Sequence, residues 1–94
     1  MIHYTDRAIS DLTRLREFIA KKNPTAANRV ASGLKHEINK LDVFSKIGVK
    51  VAYVVNPEKI RDLFIGNYTV RYLIVNDDVV ILRMWHDRES ERSN

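Results

Sequence analysis

Two apolar stripes with helical spacing, separated by Asn23-Pro24, constrain the fold of this chain more than any other feature. The first stripe runs from Ala8 to Ile19, with apolar residues at every third or fourth position and charged residues between them. The second runs from Ala27 to Leu41 with the same spacing. Asn is a good helix N-cap, and Pro is tolerated at the first helical position, where its missing N–H costs no hydrogen bond. The link is short, so we predict two helices that pack as an antiparallel hairpin.

The rest of the chain has the pattern of β-strands. Residues 2–4 form a short β-prone opening, after which Thr5 or Asp6 can cap the first helix. The second half contains longer strand-like runs joined by turn-forming residues. These runs are Ile60 to Ile65, Tyr68 to Val75 and Val79 to His86. The β-branched run from Val49 to Val55 is either a strand or an ordered loop.

We therefore predict one α+β domain over residues 1–94, with the element order β-α-α-β-β-β. Its sheet is expected to be antiparallel, with the helical hairpin packed on one face.

The last strand has apolar residues on both faces. Strict alternation places one set of side chains on one face and a second set on the other. The sets are Val80, Leu82, Met84 and His86, and Val79, Ile81, Arg83 and Trp85. Two helices can cover only one face, so the other is expected to be a partner surface. Sheet curvature, the run from Val49 to Val55 or self-association are alternative ways to bury it.

Composition narrows the classes of function. The 16 Lys and Arg exceed the 12 Asp and Glu, and the resulting formal charge of +4 suits an acidic partner, a nucleic acid or a nucleic-acid enzyme. Many small domains carry such a charge without one. Cysteine is absent, which excludes disulfides and thiolate metal sites, and the spacing of His3, His36 and His86 is unlike a zinc set. We expect no metal, no cofactor, no membrane segment and a cytoplasmic location.

The order of these elements resembles the ParE/RelE superfamily of bacterial toxins. The likeness covers nearly the whole chain and is carried by AISDLTRLREFIAKKNPTAANRV, IRDL, NYTVRYLI and VVILRMWHDRE. It implies the RelE/ParE-like fold and the toxin half of a type II toxin–antitoxin pair. A cognate antitoxin, acidic and of the ribbon-helix-helix class, would cover the toxin groove in a hetero-oligomeric complex. RelE-like members of the superfamily cut messenger RNA in the ribosomal A site, whereas ParE-like members poison DNA gyrase.

Within the superfamily, the chain is more similar to the ParE pattern. Where the RelE pattern has an arginine directly after the tyrosine of its central strand, this chain has Tyr68 followed by Thr69. Arg88 matches the late arginine, but the tail from Glu89 to Asn94 contains no counterpart of the C-terminal tyrosine. The resemblance thus favours a toxin that is not an enzyme and that inhibits DNA gyrase.

Two alternatives stay open. One is a ribosome-dependent endoribonuclease that stabilises phosphate charge with Arg61, Arg71, Arg83 and Arg88. The other is a degenerate member without toxicity that acts as a binding partner or transcriptional co-repressor.

The candidate contact residues lie in the sheet half of the chain, and their predicted role is to bind the target or the antitoxin. They are Arg61, Arg71, Arg83, Trp85, His86 and Arg88. The alternatives are a solvated face for the arginines, core filling for Trp85 and a structural role for His86. Asp6, Asp11 and Glu17 are expected to form exposed ion pairs with neighbouring arginines.

Overall fold

The helical hairpin and the three long strands predicted from the sequence are present in the computed structural model, which describes residues 1–54 and 58–89. The helices are α1 (Asp6–Ala20) and α2 (Pro24–Asn39). The strands are β1 (Ile2–Tyr4), β2 (Val49–Lys50), β3 (Ile60–Ile65), β4 (Tyr68–Val75) and β5 (Asp78–His86). Short 3₁₀ turns follow α2 and β5, at Lys40–Asp42 and Asp87–Glu89.

Side-chain caps fix where the two helices begin. Thr5 caps α1, because its Oγ1 accepts a hydrogen bond from the backbone N–H of Ala8 at 3.0 Å. The same hydroxyl donates to the carbonyl of Leu82 at 3.0 Å and so ties the start of α1 to β5. Asn23 caps α2 by accepting from Ala26 N–H at 3.1 Å, with Pro24 at the first helical position as predicted.

The sheet is mixed, with the strand order β1-β5-β4-β3-β2. The strands β2 to β5 are antiparallel to their neighbours, as predicted, but β1 lies parallel to β5. The prediction of a purely antiparallel sheet was therefore wrong at this edge. Parallel neighbours require a long crossover connection, and here the helical hairpin begins that connection. Of the run from Val49 to Val55, only Val49–Lys50 is a strand; residue 55 lies outside the described part.

The core lies between the helical hairpin and one face of the sheet. Val70 and Tyr72 of β4 are fully buried there, together with Val79, Ile81 and Met84 of β5. The helical side chains that pack against them are Ala8, Leu15, Leu34 and Ile38.

A β-bulge in β5 changes which side chains share a face. Arg71 pairs with Arg83 and the next residue of β4, Tyr72, pairs with Ile81, so Leu82 is an extra residue in β5. Ile81 and Met84 therefore both point into the core although they are three positions apart. The predicted strict alternation, which put these two on opposite faces, was wrong beyond Ile81.

Candidate functional site

The fold separates the six candidate residues into three places. Arg61 is buried beneath a loop, Arg71 and Trp85 lie on the sheet face away from the helices, and Arg83 reaches around the sheet edge to α1. His86 and Arg88 line a groove beside α1. The sequence placed all six in one half of the chain, but they do not form one surface.

Arg61 holds the loop that leads into β2. Its side chain is 9% exposed, and Nη1 donates to the carbonyls of Lys46 at 3.3 Å and Gly48 at 3.0 Å. Tyr72 completes this clamp, because its hydroxyl donates to the Ser45 carbonyl at 2.6 Å and accepts from Gly48 N–H at 2.9 Å. A Cβ at position 48 would lie 2.6 Å from the Tyr72 hydroxyl oxygen, so this approach requires glycine. The structure thus gives Arg61 a structural role, away from the solvent.

Arg71 is the centre of the sheet face opposite the helices. Its Nε and Nη2 donate to the two carboxylate oxygens of Asp62 at 2.8 and 3.0 Å, and Nη2 also donates to the Tyr53 hydroxyl at 2.7 Å. The guanidinium carbon lies 5.2 Å from the centre of the Trp85 ring and 5.4 Å from that of Tyr53, which are cation–π distances. Trp85 is only 6% exposed and fills space beneath Arg71.

Exposed apolar side chains surround this arginine. Tyr53 and Phe64 are 69% and 59% exposed, and Val49, which pairs with Asp62 across the sheet, is also exposed. We call Val49, Tyr53, Phe64 and Arg71 the far-face patch. It lies on the face of the sheet that the helices leave uncovered, where the sequence predicts a partner surface, but Val79 and Ile81 of the predicted set lie in the core instead.

The side chain of Arg83 extends from β5 to α1, where it pairs with Asp11. Arg83 Nε donates to Asp11 Oδ2 at 2.7 Å, and the backbone N–H of Met84 donates to the same oxygen at 3.0 Å. Arg14 Nη1 donates to Asp11 Oδ1 at 2.6 Å. Burial raises the pKa of Asp11, but the hydrogen bonds from Arg83, Met84 and Arg14 outweigh it and hold that pKa below its usual value.

Asp11 is 3% exposed, so the prediction of an exposed ion pair was wrong for this residue. Its spacing from Ala8 and Leu15 places it on the buried stripe of α1, and this signal was present in the sequence.

A groove of about 750 Å³ runs between α1 and the ends of β4 and β5. We call it the α1 groove. Its lining residues are Arg14, Leu15, Phe18, Ile19, Lys22, Asn67, Tyr68, His86, Arg88 and Glu89. Phe18 is 65% exposed at the rim. The rings of Tyr68 and His86 meet edge to face, with their centres 5.0 Å apart, and His86 Nδ1 accepts from Arg88 N–H at 3.0 Å. Burial raises the pKa of Tyr68, as does the negative charge of Glu89.

Beyond the point where β1 ends, side chains form hydrogen bonds with the backbone groups at the edge of β5. In addition to the bond from Thr5 to Leu82, the N–H of Met84 donates to Asp11, and the Met84 carbonyl accepts from Arg14 Nη2 at 3.5 Å. The N–H of His86 donates to Glu89 Oε1 at 2.9 Å. Glu89 also accepts from Arg14, through Nε at 3.1 Å and Nη2 at 3.2 Å. Arg14 and Glu89 therefore form a clasp between α1 and the turn after β5.

Neither Arg14 nor Glu89 was singled out from the sequence, because the two residues are 75 positions apart and no local spacing relates them. Within the described ranges, no group of three side chains is arranged to hold a metal ion, and no helix is long and apolar enough to cross a membrane.

Comparisons with known proteins identify the fold and the family. The profile of the family described as "ParE toxin of type II toxin-antitoxin system, parDE" matches residues 2–91. Two curated relatives come from Caulobacter vibrioides. Toxin RelE2 is 32% identical over 84 residues, which cover 88% of this chain and 90% of the relative. Toxin RelE3 is 29% identical over 87 residues, which cover 88% and 89%.

Solved structures show the same architecture. A chain of the chromosomal ParDE TA system from P. aeruginosa superposes with a TM-score of 0.74 at 16% identity, covering 90% of this chain and 92% of that one. A chain of the RelB-RelE antitoxin-toxin complex from Methanococcus jannaschii gives a TM-score of 0.56 at 16% identity, with coverages of 93% and 92%. The predicted RelE/ParE-like fold is confirmed. Together with the match over residues 2–91, this places the chain in the ParE toxin family of type II toxin–antitoxin systems, within the ParE/RelE superfamily.

Proposed function

We propose that this toxin inhibits DNA gyrase without being an enzyme, and that an acidic cognate antitoxin of the ribbon-helix-helix class neutralises it. The observation that carries the proposal is that the arginines of the sheet are already hydrogen-bonded to other groups of this chain. Arg71 donates to both oxygens of Asp62, Arg83 donates to both oxygens of Asp11, and Arg61 is buried on two carbonyls.

Phosphodiester cleavage without a metal requires cations aimed at the charge that develops on the phosphate. A guanidinium already paired with a carboxylate contributes a much weaker field at a third group, because the two charges largely cancel. Arg88 lies apart from these three arginines, because it lines the α1 groove. The arrangement therefore supports a toxin that acts by binding its target.

The second candidate is the ribosome-dependent endoribonuclease. The specific observation in its favour is the far-face patch, where the exposed Tyr53 ring lies beside Arg71. Nucleobases stack on such aromatic faces. The matched proteins carry both names, since the family profile is a ParE profile and the two curated relatives are named RelE.

An antitoxin partner is supported by the structurally similar chains and by the charge and apolar surface of this chain. The matched chains belong to a ParDE system and to a RelB-RelE antitoxin-toxin complex. The formal charge of +4 favours an acidic partner, and the exposed Phe18 and Phe64 offer apolar contact area. The expected assembly is a hetero-oligomer of toxin and antitoxin.

The deciding experiment is a gyrase supercoiling and DNA-cleavage assay with the purified chain, run beside a ribosome-dependent mRNA-cleavage assay. We expect loss of supercoiling with trapped cleaved DNA, and intact mRNA. Cleaved mRNA with unaffected gyrase at micromolar toxin would reject the proposal in favour of the endoribonuclease. No effect in either assay, with a folded chain and no growth arrest on expression, would identify a member that has lost toxicity.

A further inference from the structure

The α1 groove has an excess of cations over carboxylates. Arg14, Lys22 and Arg88 line it, whereas Glu89 is its one acidic lining residue among the parts of the chain that the structure describes. Phe18, Ile19 and Tyr68 supply its apolar surface. A segment with apolar and acidic side chains is complementary to this lining.

The adjoining edge of β5 does not favour an added strand. A strand that pairs with a sheet edge needs outward-facing backbone N–H and carbonyl groups. At this edge, side chains are already hydrogen-bonded to four backbone groups. These are the Leu82 carbonyl, the N–H and the carbonyl of Met84, and the His86 N–H. A partner must therefore bind through side chains. The wall that α1 presents, with residues 14, 15, 18, 19 and 22 at helical spacing, suits an amphipathic helix.

We propose that Arg14 anchors a carboxylate of an acidic amphipathic helix of the antitoxin, and that Glu89 is the internal carboxylate which this helix displaces. The identity of the partner rests on the function proposed above. The guanidinium of Arg14 divides its donors between two acids: Nη1 donates to Asp11, while Nε and Nη2 donate to Glu89.

The two acids differ in how firmly they are held. Asp11 is buried within α1 and also accepts from Arg83 and Met84, so it cannot leave without unfolding the helix–strand contact. Glu89 is partly exposed and lies on a 3₁₀ turn of three residues after the sheet has ended. Short turns of this kind open at low cost compared with core elements. Glu89 is thus the exchangeable partner of Arg14.

Displacement costs the partner some affinity, because the Arg14–Glu89 ion pair must break first. Glu89→Gln keeps the shape of the side chain but removes its charge and so removes most of this cost. For a partly exposed ion pair we expect binding about three- to tenfold tighter. The gain in affinity must depend on Arg14, since Glu89 and the carboxylate of the partner compete for the same guanidinium.

The test uses an acetylated, amidated peptide helix of about 14 residues, with leucines on one face and glutamates beside them. Its counterpart has glutamine at each glutamate. Dissociation constants are measured by calorimetry for the wild type, Glu89→Gln, Arg14→Gln and the double variant. Glu17→Gln, at an exposed position of the same helix, is the matched control. Thermal unfolding checks that each variant is folded, and Arg14→Met, which also lacks the cation, replaces Arg14→Gln where the latter is not.

We expect Glu89→Gln to tighten binding of the glutamate peptide, with no such gain when Arg14 is changed and none for Glu17→Gln. The backbone amide resonance of His86, which donates to Glu89, should shift in the wild type when the glutamate peptide binds. An equal gain in the Arg14→Gln background, an unchanged constant in Glu89→Gln, or no binding of the glutamate peptide would overturn the proposal. The gyrase assay on the chain alone tests the function separately, since it involves no peptide.

Discussion

At the scale of single residues, Asp11 joins the first helix to the last strand. It accepts hydrogen bonds from Arg83, Arg14 and the backbone of Met84 while almost completely buried. Removing one partner of a buried ion pair leaves the other charge without compensation, and this costs more than the pair itself contributes.

We predict that Asp11→Asn lowers the free energy of unfolding by about 3 kcal/mol, because Arg83 and Arg14 would lose their shared anion. Urea unfolding followed by circular dichroism measures this change. Glu17→Gln, at an exposed position of the same helix, should change stability by less than about 0.5 kcal/mol. Equal effects of the two substitutions would refute the structural role given to Asp11.

The pH dependence of stability gives a second prediction for Asp11. Its pKa is lower in the folded chain than in the unfolded chain, where it is about 3.9. Its contribution is therefore complete above pH about 4 and is lost as the pH falls through the folded-state pKa. Between neutral pH and about pH 2, the wild type should lose more stability than Asp11→Asn. The other acids with lowered pKa are common to both proteins, so parallel pH profiles would contradict this assignment.

At the scale of elements, the β-bulge shows where the sequence was insufficient. Strand positions, turns and the helical hairpin followed from spacing and from residues such as Asn23-Pro24. The extra residue Leu82 has no such signal, because bulges without glycine look like ordinary strand in sequence. The parallel pairing of β1 was equally hidden, since a strand of three residues does not specify its neighbour. The separation of the candidate contact residues was not predicted either, and the bulge accounts for part of it, because the extra residue Leu82 directly precedes Arg83.

The clamp on loop 45–48 carries a prediction of its own. Tyr72→Phe removes the hydroxyl that bonds Ser45 and Gly48, and it leaves the Gly48 N–H without this acceptor in a buried place. We expect a loss of about 1–3 kcal/mol in the free energy of unfolding and faster hydrogen exchange at the Gly48 amide. Tyr4→Phe, outside the clamp, serves as the control. Unchanged exchange at Gly48 would show that the clamp does not hold the loop.

At the scale of the whole molecule, the far-face patch and the α1 groove lie on opposite sides of the sheet. Tyr53 and Phe64 are exposed, so truncating them should leave the fold intact. If the far-face patch contacts gyrase, Tyr53→Ala and Phe64→Ala should each weaken gyrase inhibition at least tenfold, as truncation of an aromatic anchor does at other interfaces. Phe44→Ala, at a similarly exposed phenylalanine outside the patch, is the control. Full inhibition by both variants would exclude the patch as the gyrase contact.

The parallel pairing of β1 with β5 also bears on when the toxin can form. Thr5 and Leu82, which are hydrogen-bonded, are 77 residues apart, whereas the helical hairpin uses only nearby residues. During synthesis the hairpin can form early, but β1 must wait for β5 to leave the ribosome before the sheet is complete. Both the far-face patch and the α1 groove depend on β4 and β5. A nascent chain therefore has neither surface complete until its last strands emerge.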